Sequence, residues 1–258
     1  MRLLLIRHGD PDYEHDSLTD TGKIEAQLLA ERMKKERPDA WFVSPLGRAR
    51  RTAAPSLAAL DADAQVLDWL EEFPAKLDVN EDPYLQKAFP DTRRREDGSY
   101  APRIVWDQLP GAWRNVPEYY DPQKWREMPP ALKSDMEWCY ERVCKGLDAL
   151  LAQFGYVRDG GLYRTEQGSN RTIALFCHYG VSCVMLSYLW GVSPFVLWSS
   201  LVMAPTSVTE LFTEEREKGI AVFRATKVGD ISHLYAAGRQ PSFAARFCSV
   251  YENTGERH

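Results

Sequence analysis

The chain has no cysteine pattern. Its five cysteines, Cys139, Cys144, Cys177, Cys183 and Cys248, are odd in number and contain no Cys-x-x-Cys pair. That excludes a disulfide framework and a zinc knuckle, and reduced, mostly buried thiols are expected. Long hydrophobic runs are missing too: no stretch approaches the roughly 18 uninterrupted apolar residues of a membrane span. The apolar run near the amino terminus, Leu3 to Ile6, is too short for a secretion signal. A cytoplasmic protein without a membrane partner is the expectation. Nor is there an excess of positive charge. Lys and Arg number 32 against 37 Asp and Glu, a net charge of -5, so no bulk attraction to nucleic acid is expected. No internal repeat and no Asp/Glu/His cluster with metal-ligand spacing occur, and neither a metal nor another cofactor is expected. What is present is a globular composition, 44% apolar and 27% charged over 258 residues.

Hydrophobic periodicity organises the chain. Residues 2–6 predict a short buried strand that Arg7-His8-Gly9 ends. Leu18-Thr19-Asp20-Thr21-Gly22 leads into a helix that Thr19 or Asp20 can cap. Ile24, Leu28, Leu29 and Met33 mark its apolar face, and Pro38 stops it. Ala40 to Val43 reads as a second strand, Leu46 to Leu60 as a helix, and Val66 and Leu67 as a third strand. This alternation predicts an α/β fold, a three-layer sandwich with a mostly parallel central sheet and helices on both faces. Nine of the sixteen prolines and three of the eight tryptophans fall between residues 74 and 130. Proline at that density discourages regular structure, while the aromatics argue against disorder. The segment is expected to be a cap-like insertion of loops and short helices within a single domain of residues 1–258. Further on, Ser134 to Phe154 predicts a helix and Asp159-Gly160-Gly161 a hairpin turn. Thr172 to Cys177 predicts a strand, and Val181 to Trp190 a helix. Two closing strands, Ser207 to Thr213 and Ile220 to Val228, are expected to flank a charged turn, Glu214 to Gly219.

The chemistry-bearing residues share a position. His8 and His178 each follow a predicted buried strand, and ligands of open α/β sheets bind beyond the carboxyl ends of the strands. Gly9 and Gly180 nearby allow close backbone approach. Arg7 adjoins the first histidine, and Arg48 opens a helix just after the second strand, at the same end. Two imidazoles and two guanidinium groups would make a cationic pocket, for which phosphate is the natural guest. His15 is read as an exposed loop group. Arg93-Arg94-Arg95, flanked by Asp91, Glu96 and Asp97, is read as a solvated face.

At these motifs the sequence resembles the histidine phosphatase superfamily, also called the phosphoglycerate mutase-like family. Arg7-His8-Gly9 is similar to its signature, Leu18-Thr19-Asp20-Thr21-Gly22 to its Leu-Thr-x-x-Gly, and Ser44-Pro45-Leu46-Gly47-Arg48-Ala49-Arg50-Arg51-Thr52-Ala53 to its Ser-Pro-Leu-x-Arg-Ala-x-x-Thr-Ala. His178-Tyr179-Gly180 is similar to the second-histidine motif, Thr206 to Leu211 to the late strand, and Asp230 to Leu234 to the final Ser-His-Leu. The resemblance implies that His8 is a nucleophile that accepts a phosphoryl group, with Arg7, Arg48 and His178 binding that group. His8 would then be neutral, its other nitrogen fixed by a backbone carbonyl, and His178 would favour its protonated form beside a phosphate dianion. The family's Leu-x-Glu pattern selects Glu72 as the general acid, with the adjacent Glu71 leaving the register open. No asparagine follows Gly9 as it often does in the family, so several mutase-type substrate contacts are missing or replaced. The implied function is a metal-independent phosphatase that hydrolyses a small phosphate monoester through a phosphohistidine, with a small phosphorylated substrate and free phosphate as product. A phosphoglycerate-type mutase and a non-catalytic phosphoryl-binding protein are the alternatives. Substrate identity and oligomeric state are left open.

Overall fold

The structure is a computed structural model that describes residues 1–243, 248–253 and 255. Its main sheet has eight strands: β1 (Arg2–Arg7), β2 (Ala40–Val43), β3 (Gln65–Val66), β4 (Val157–Asp159), β5 (Leu162–Arg164), β6 (Thr172–Cys177), β7 (Val208–Glu217) and β8 (Ile220–Asp230). Their order across the sheet is β3-β2-β6-β1-β7-β8-β5-β4. The strands β3, β2, β6 and β1 pair in parallel. From β1 through β7, β8, β5 and β4 every pairing is antiparallel. Leu3, Leu4, Leu5 and Ile6 of β1 are all buried. A strand covered on both faces takes such an unbroken apolar run, which is why alternation is absent there.

Helix α1 (Asp20–Glu36) is capped by Thr19, whose hydroxyl accepts from the Gly22 N–H at 3.1 Å. It ends at Arg37 in the left-handed region, φ 45°. Helix α2 (Gly47–Leu60) packs on α1. Leu29 and Met33 of α1 and Ala49 and Ala53 of α2 close over Leu4, Ile6, Trp41, Val43, Ala174 and Phe176 of the sheet. Helix α3 spans Met136–Gln153, and Gly155 just beyond it takes φ 88°. Helix α4 (Tyr179–Trp190) is apolar nearly all round and buried.

Several boundaries shift by a residue or more from the periodicity reading, and two of the shifts have a clear physical setting. α4 starts two residues before the expected Val181, so Gly180 lies in its first turn rather than in a loop. β7 runs on through Glu214–Glu217, because one face of the β7–β8 ladder is solvated and tolerates charge. Glu214 accepts there from Arg224 Nη1 at 2.6 Å, and the expected turn contracts onto Gly219, φ 79°.

The chain divides into two compact units. The first comprises Met1–Glu72, Leu151–Ser182 and Val202–His258 and holds the sheet. The second comprises Phe73–Leu150 and Cys183–Leu201. Its core is aromatic: Phe195 packs on Tyr119 at 4.9 Å and Trp198 at 5.5 Å between ring centroids, and Trp125 on Tyr140 at 5.0 Å. The prolines of this unit start helices rather than prevent them. Pro83, Pro110, Pro117 and Pro129 each occupy the first position of a short helix, where the missing N–H costs nothing and φ is already helical. Asp82 caps one of them by accepting from the Tyr84 and Leu85 N–H groups. The Arg93–Arg95 run is exposed. Among the described residues no helix is long and apolar enough to cross a membrane.

Candidate active site

Strand register brings the two histidines together. β1 and β6 run parallel with Arg2 opposite Thr172 and Arg7 opposite Cys177. His8 and His178 are therefore each the next residue past a paired position, at the same carboxyl edge. The His8 N–H donates to the Cys177 carbonyl at 3.0 Å, and the two imidazole centroids lie 5.0 Å apart with the rings inclined at 55°. Both histidines are buried, His8 at 1% and His178 at 0% relative exposure. On the other side of β6, Val43 of β2 pairs with Phe176. That places Ser44 so that its Oγ lies 2.7 Å from His178 Nε2.

His8 Nδ1 lies 2.7 Å from the carbonyl oxygen of Gly9. A carbonyl only accepts, so Nδ1 carries the proton and Nε2 carries the lone pair. Burial, helped by the positive charge of Arg7 and then of Arg48, lowers the His8 pKa from 6.5 to about 3. Burial also pushes His178 well below the ordinary histidine value, with His8, Arg48 and Arg7 adding to the effect. Both guanidinium charges thus lower the pKa of both rings. Arg7 is held by Nη1 donating to the Met203 carbonyl at 2.5 Å and lies over the Tyr179 ring at 5.9 Å. Arg48 donates from Nη1 to Asp16 Oδ1 at 2.8 Å and lies over the Tyr13 ring at 5.5 Å.

Glu72 sits at the amino end of α4. Its Oε1 accepts from the Gly180 N–H at 2.8 Å and from the Val181 N–H at 3.3 Å. Unsatisfied N–H groups at a helix start favour such a carboxylate. The backbone of Gly180 therefore serves the carboxylate that follows the third strand. His15 is bound to Asp12 at 2.8 Å with its side chain 69% exposed, as expected of a loop group.

Several supporting residues carried no role in the sequence reading. Thr52 Oγ1 accepts from the Gly9 N–H at 2.9 Å and donates to the Arg48 carbonyl at 2.7 Å, tying the His8 loop to the helix that bears Arg48. Thr52 and Ser44 lie inside the motif quoted above, so the signal was there without its chemistry. Asp16 holds both Arg48 and the Gly47 N–H, the latter at 2.5 Å. It belongs to a loop rich in acidic residues and nothing local distinguishes it. Gly22 is fixed by space: a Cβ there would stand 2.3 Å from the Asp10 carbonyl oxygen. This close approach of α1 to the turn after His8 explains the glycine in the Leu-Thr-x-x-Gly segment.

Residues 3–101 match the family model described as the histidine phosphatase superfamily (branch 1), so the recognition made from the motifs holds. Among solved structures, the chain is similar to a mycobacterial glucosyl-3-phosphoglycerate phosphatase in complex with inorganic phosphate. Identity is 19% and the TM-score 0.57, covering 90% of this chain and 98% of that one. It is also similar to a phosphoserine phosphatase from Entamoeba histolytica in complex with 3-phosphoglyceric acid. There the identity is 16% and the TM-score 0.55, covering 90% and 98%. A structure described as mycobacterial hydrolase 1 matches at 18% identity and a TM-score of 0.56, covering 89% and 98%. At these identities the likeness is one of fold. No curated protein matches the chain.

Proposed function

We propose that this protein hydrolyses a small phosphate monoester through a phosphohistidine formed on His8, without a metal ion. The observation that carries the reading is the His8 imidazole: buried, neutral, fixed as the Nδ1–H tautomer by the Gly9 carbonyl at 2.7 Å, and set 5.0 Å from the His178 ring. The family match over residues 3–101 and the phosphatases among the structural relatives support it.

In this reading the lone pair on His8 Nε2 attacks phosphorus, an N–P bond forms, and the ester P–O bond breaks in line with it. Arg7 and Arg48 neutralise the charge on the phosphoryl oxygens, the task an electrostatic site performs best when its charges are already in place. His178 Nδ1 has no hydrogen-bond partner among the described residues, so it is the ring atom that meets the phosphoryl group. Burial keeps His178 neutral in the unliganded site; a bound dianion supplies the negative charge that favours its protonated form. The leaving alkoxide takes a proton from Glu72. Its Oε1 accepts from the α4 N–H groups, an anchoring that supports Glu72 in this role. In the second step the Glu72 carboxylate takes a proton from water as water attacks phosphorus, which breaks the N–P bond and releases phosphate.

The test is a screen of phosphate esters of sugars, nucleotides, amino acids and carboxylic acids for release of inorganic phosphate, with and without EDTA. Turnover should survive the chelator and fall by about 10⁴-fold or more in His8→Ala. Phosphorus labelled in the substrate should be trapped on His8 in acid-sparing conditions. Retained turnover in His8→Ala overturns the nucleophile. Phosphate binding without release from any ester overturns the phosphatase reading.

A further inference from the structure

Thr206 is a β-branched residue with φ 58°, a left-handed conformation that such side chains avoid. Glycine would suit the backbone, so the threonine side chain has a use there. Its Oγ1 donates to the Pro205 carbonyl at 2.7 Å and lies 3.1 Å from His233 Nε2. With the hydroxyl proton given to Pro205, Oγ1 must accept from His233, which fixes the His233 proton on Nε2. His233 Nδ1 is buried without a hydrogen-bond partner among the described residues, in keeping with a neutral ring.

The backbone at this strained turn holds the catalytic strand. The Thr206 N–H donates to the His8 carbonyl at 3.1 Å, and the Ser207 carbonyl accepts from the Arg7 N–H at 3.1 Å. Just upstream, the Met203 carbonyl accepts from the Arg7 guanidinium. One segment, 203–207, therefore fixes the backbone of both His8 and Arg7 and the side chain of the latter. His233 is delivered to it by the short helix Ser232–Ala236, which Arg32 of α1 anchors through Asp230 at 2.8 Å.

We propose that His233 is a positioning residue for His8: its Nε2–H holds the Thr206 hydroxyl, and Thr206 holds the left-handed turn whose N–H fixes the His8 carbonyl. The effect on rate rests on the phosphohistidine reading; the geometry does not. Thr206 itself bonds the His8 carbonyl, whereas Met203 and Ser207 hold Arg7, so a disturbance confined to Thr206 displaces the imidazole from in-line attack and falls more on kcat than on KM.

The experiment uses the full chain and compares His233→Leu, which removes the donor, with His233→Gln, whose side-chain amide keeps one at similar reach. With the best ester from the screen, His233→Leu should lower kcat about 10- to 100-fold and shift KM less than about threefold, and His233→Gln should restore most of the loss. In a Thr206→Val background, His233→Leu should add nothing. A folded His233→Leu with wild-type kcat overturns the proposal. So do equal losses in the Leu and Gln variants, or losses that multiply with Thr206→Val. Should His233→Leu fail to fold, Thr206→Ser against Thr206→Val makes the same comparison of hydroxyl kept and hydroxyl lost. A second readout needs no turnover. The His8 Nδ1–H bonded to Gly9 should give a protected imidazole proton signal by NMR, retained in His233→Gln and lost or shifted in His233→Leu. Absence of wild-type turnover defeats the phosphatase reading alone; an unchanged signal in His233→Leu defeats the positioning.

Discussion

At the scale of single residues, the site works by keeping an imidazole uncharged among positive groups. His8 would titrate at about 6.5 in water, but burial and the neighbouring Arg7 bring it to about 3. The Gly9 carbonyl and, less strongly, the negative charge of Asp16 favour the charged ring, and they are outweighed. In the proposed function His8 is therefore competent as a nucleophile without a base to deprotonate it, and Ser44, Thr52 and Asp16 are left to hold geometry. The ring of His8 should stay neutral, with its proton on Nδ1, throughout the range from pH 8 down to about pH 4; imidazole ¹H–¹⁵N spectra of the unliganded protein report this directly. Titration near 6.5 would contradict it. The sign for stability follows from the same lowered value. Unfolded His8 takes up a proton below about 6.5 and the folded ring does not, so the unfolded chain binds more protons there. Folding stability attributable to His8 is present above 6.5 and is lost as pH falls toward 3.

At the scale of elements, the carboxyl edge of the parallel strands is braced by α1. Glu25 of that helix is buried at 2% relative exposure, and its Oε2 accepts from the Asp10 N–H at 2.8 Å, two residues beyond His8. Burial raises its pKa from 4.5 to about 7, and the Asp10 hydrogen bond offsets this only in part. A raised value has the opposite sign from that of His8. The folded protein keeps the Glu25 proton where the unfolded chain has lost it, so this contribution is whole below 4.5 and is lost as pH rises through about 7. The gap corresponds to about 3 kcal/mol. Denaturant unfolding of wild type and Glu25→Gln at pH 5 and pH 8 isolates it, because other titrating groups cancel in the difference. Between the two pH values the variant should gain about 2–3 kcal/mol on wild type. A difference independent of pH would mean that Glu25 is ionised in the folded chain. The two strands β1 and β6 and the histidine after each were legible at this scale, since apolar runs mark their lengths, whereas their pairing and register are tertiary facts. The start of α4 was not legible, because Tyr179 and Gly180 are indifferent helix formers and what stabilises the first turn is Glu72, over a hundred positions away. The same holds for Thr206 and His233, whose motifs were visible but whose pairing is a tertiary fact.

At the scale of the whole molecule, composition marked the change of character near residue 74 but could see only its proline-rich part. The second compact unit also takes in Cys183–Leu201, whose apolar sequence resembles any buried helix and gives no sign of which aromatic residues it joins. Phe195 and Trp198 meet Tyr119, Trp125 and Phe73 only in three dimensions. Charge behaves differently, because the sum over the chain is known from sequence while its distribution is known from the fold. The net charge is -5, yet the two histidines are neutral and Arg7 and Arg48 supply positive charge at one edge of the sheet. A phosphate dianion is then repelled weakly at long range and attracted strongly at short range. Salt screens the first effect more than the second, because the Debye length is about 10 Å at 0.1 M and buried charges lie inside it. Raising sodium chloride from about 20 to about 300 mM should therefore leave kcat/KM for a dianionic ester within about threefold, or raise it slightly. A steep fall of tenfold or more over that range, measured by initial rates, would show that substrates are gathered by an extended positive field rather than by the two arginines at the site.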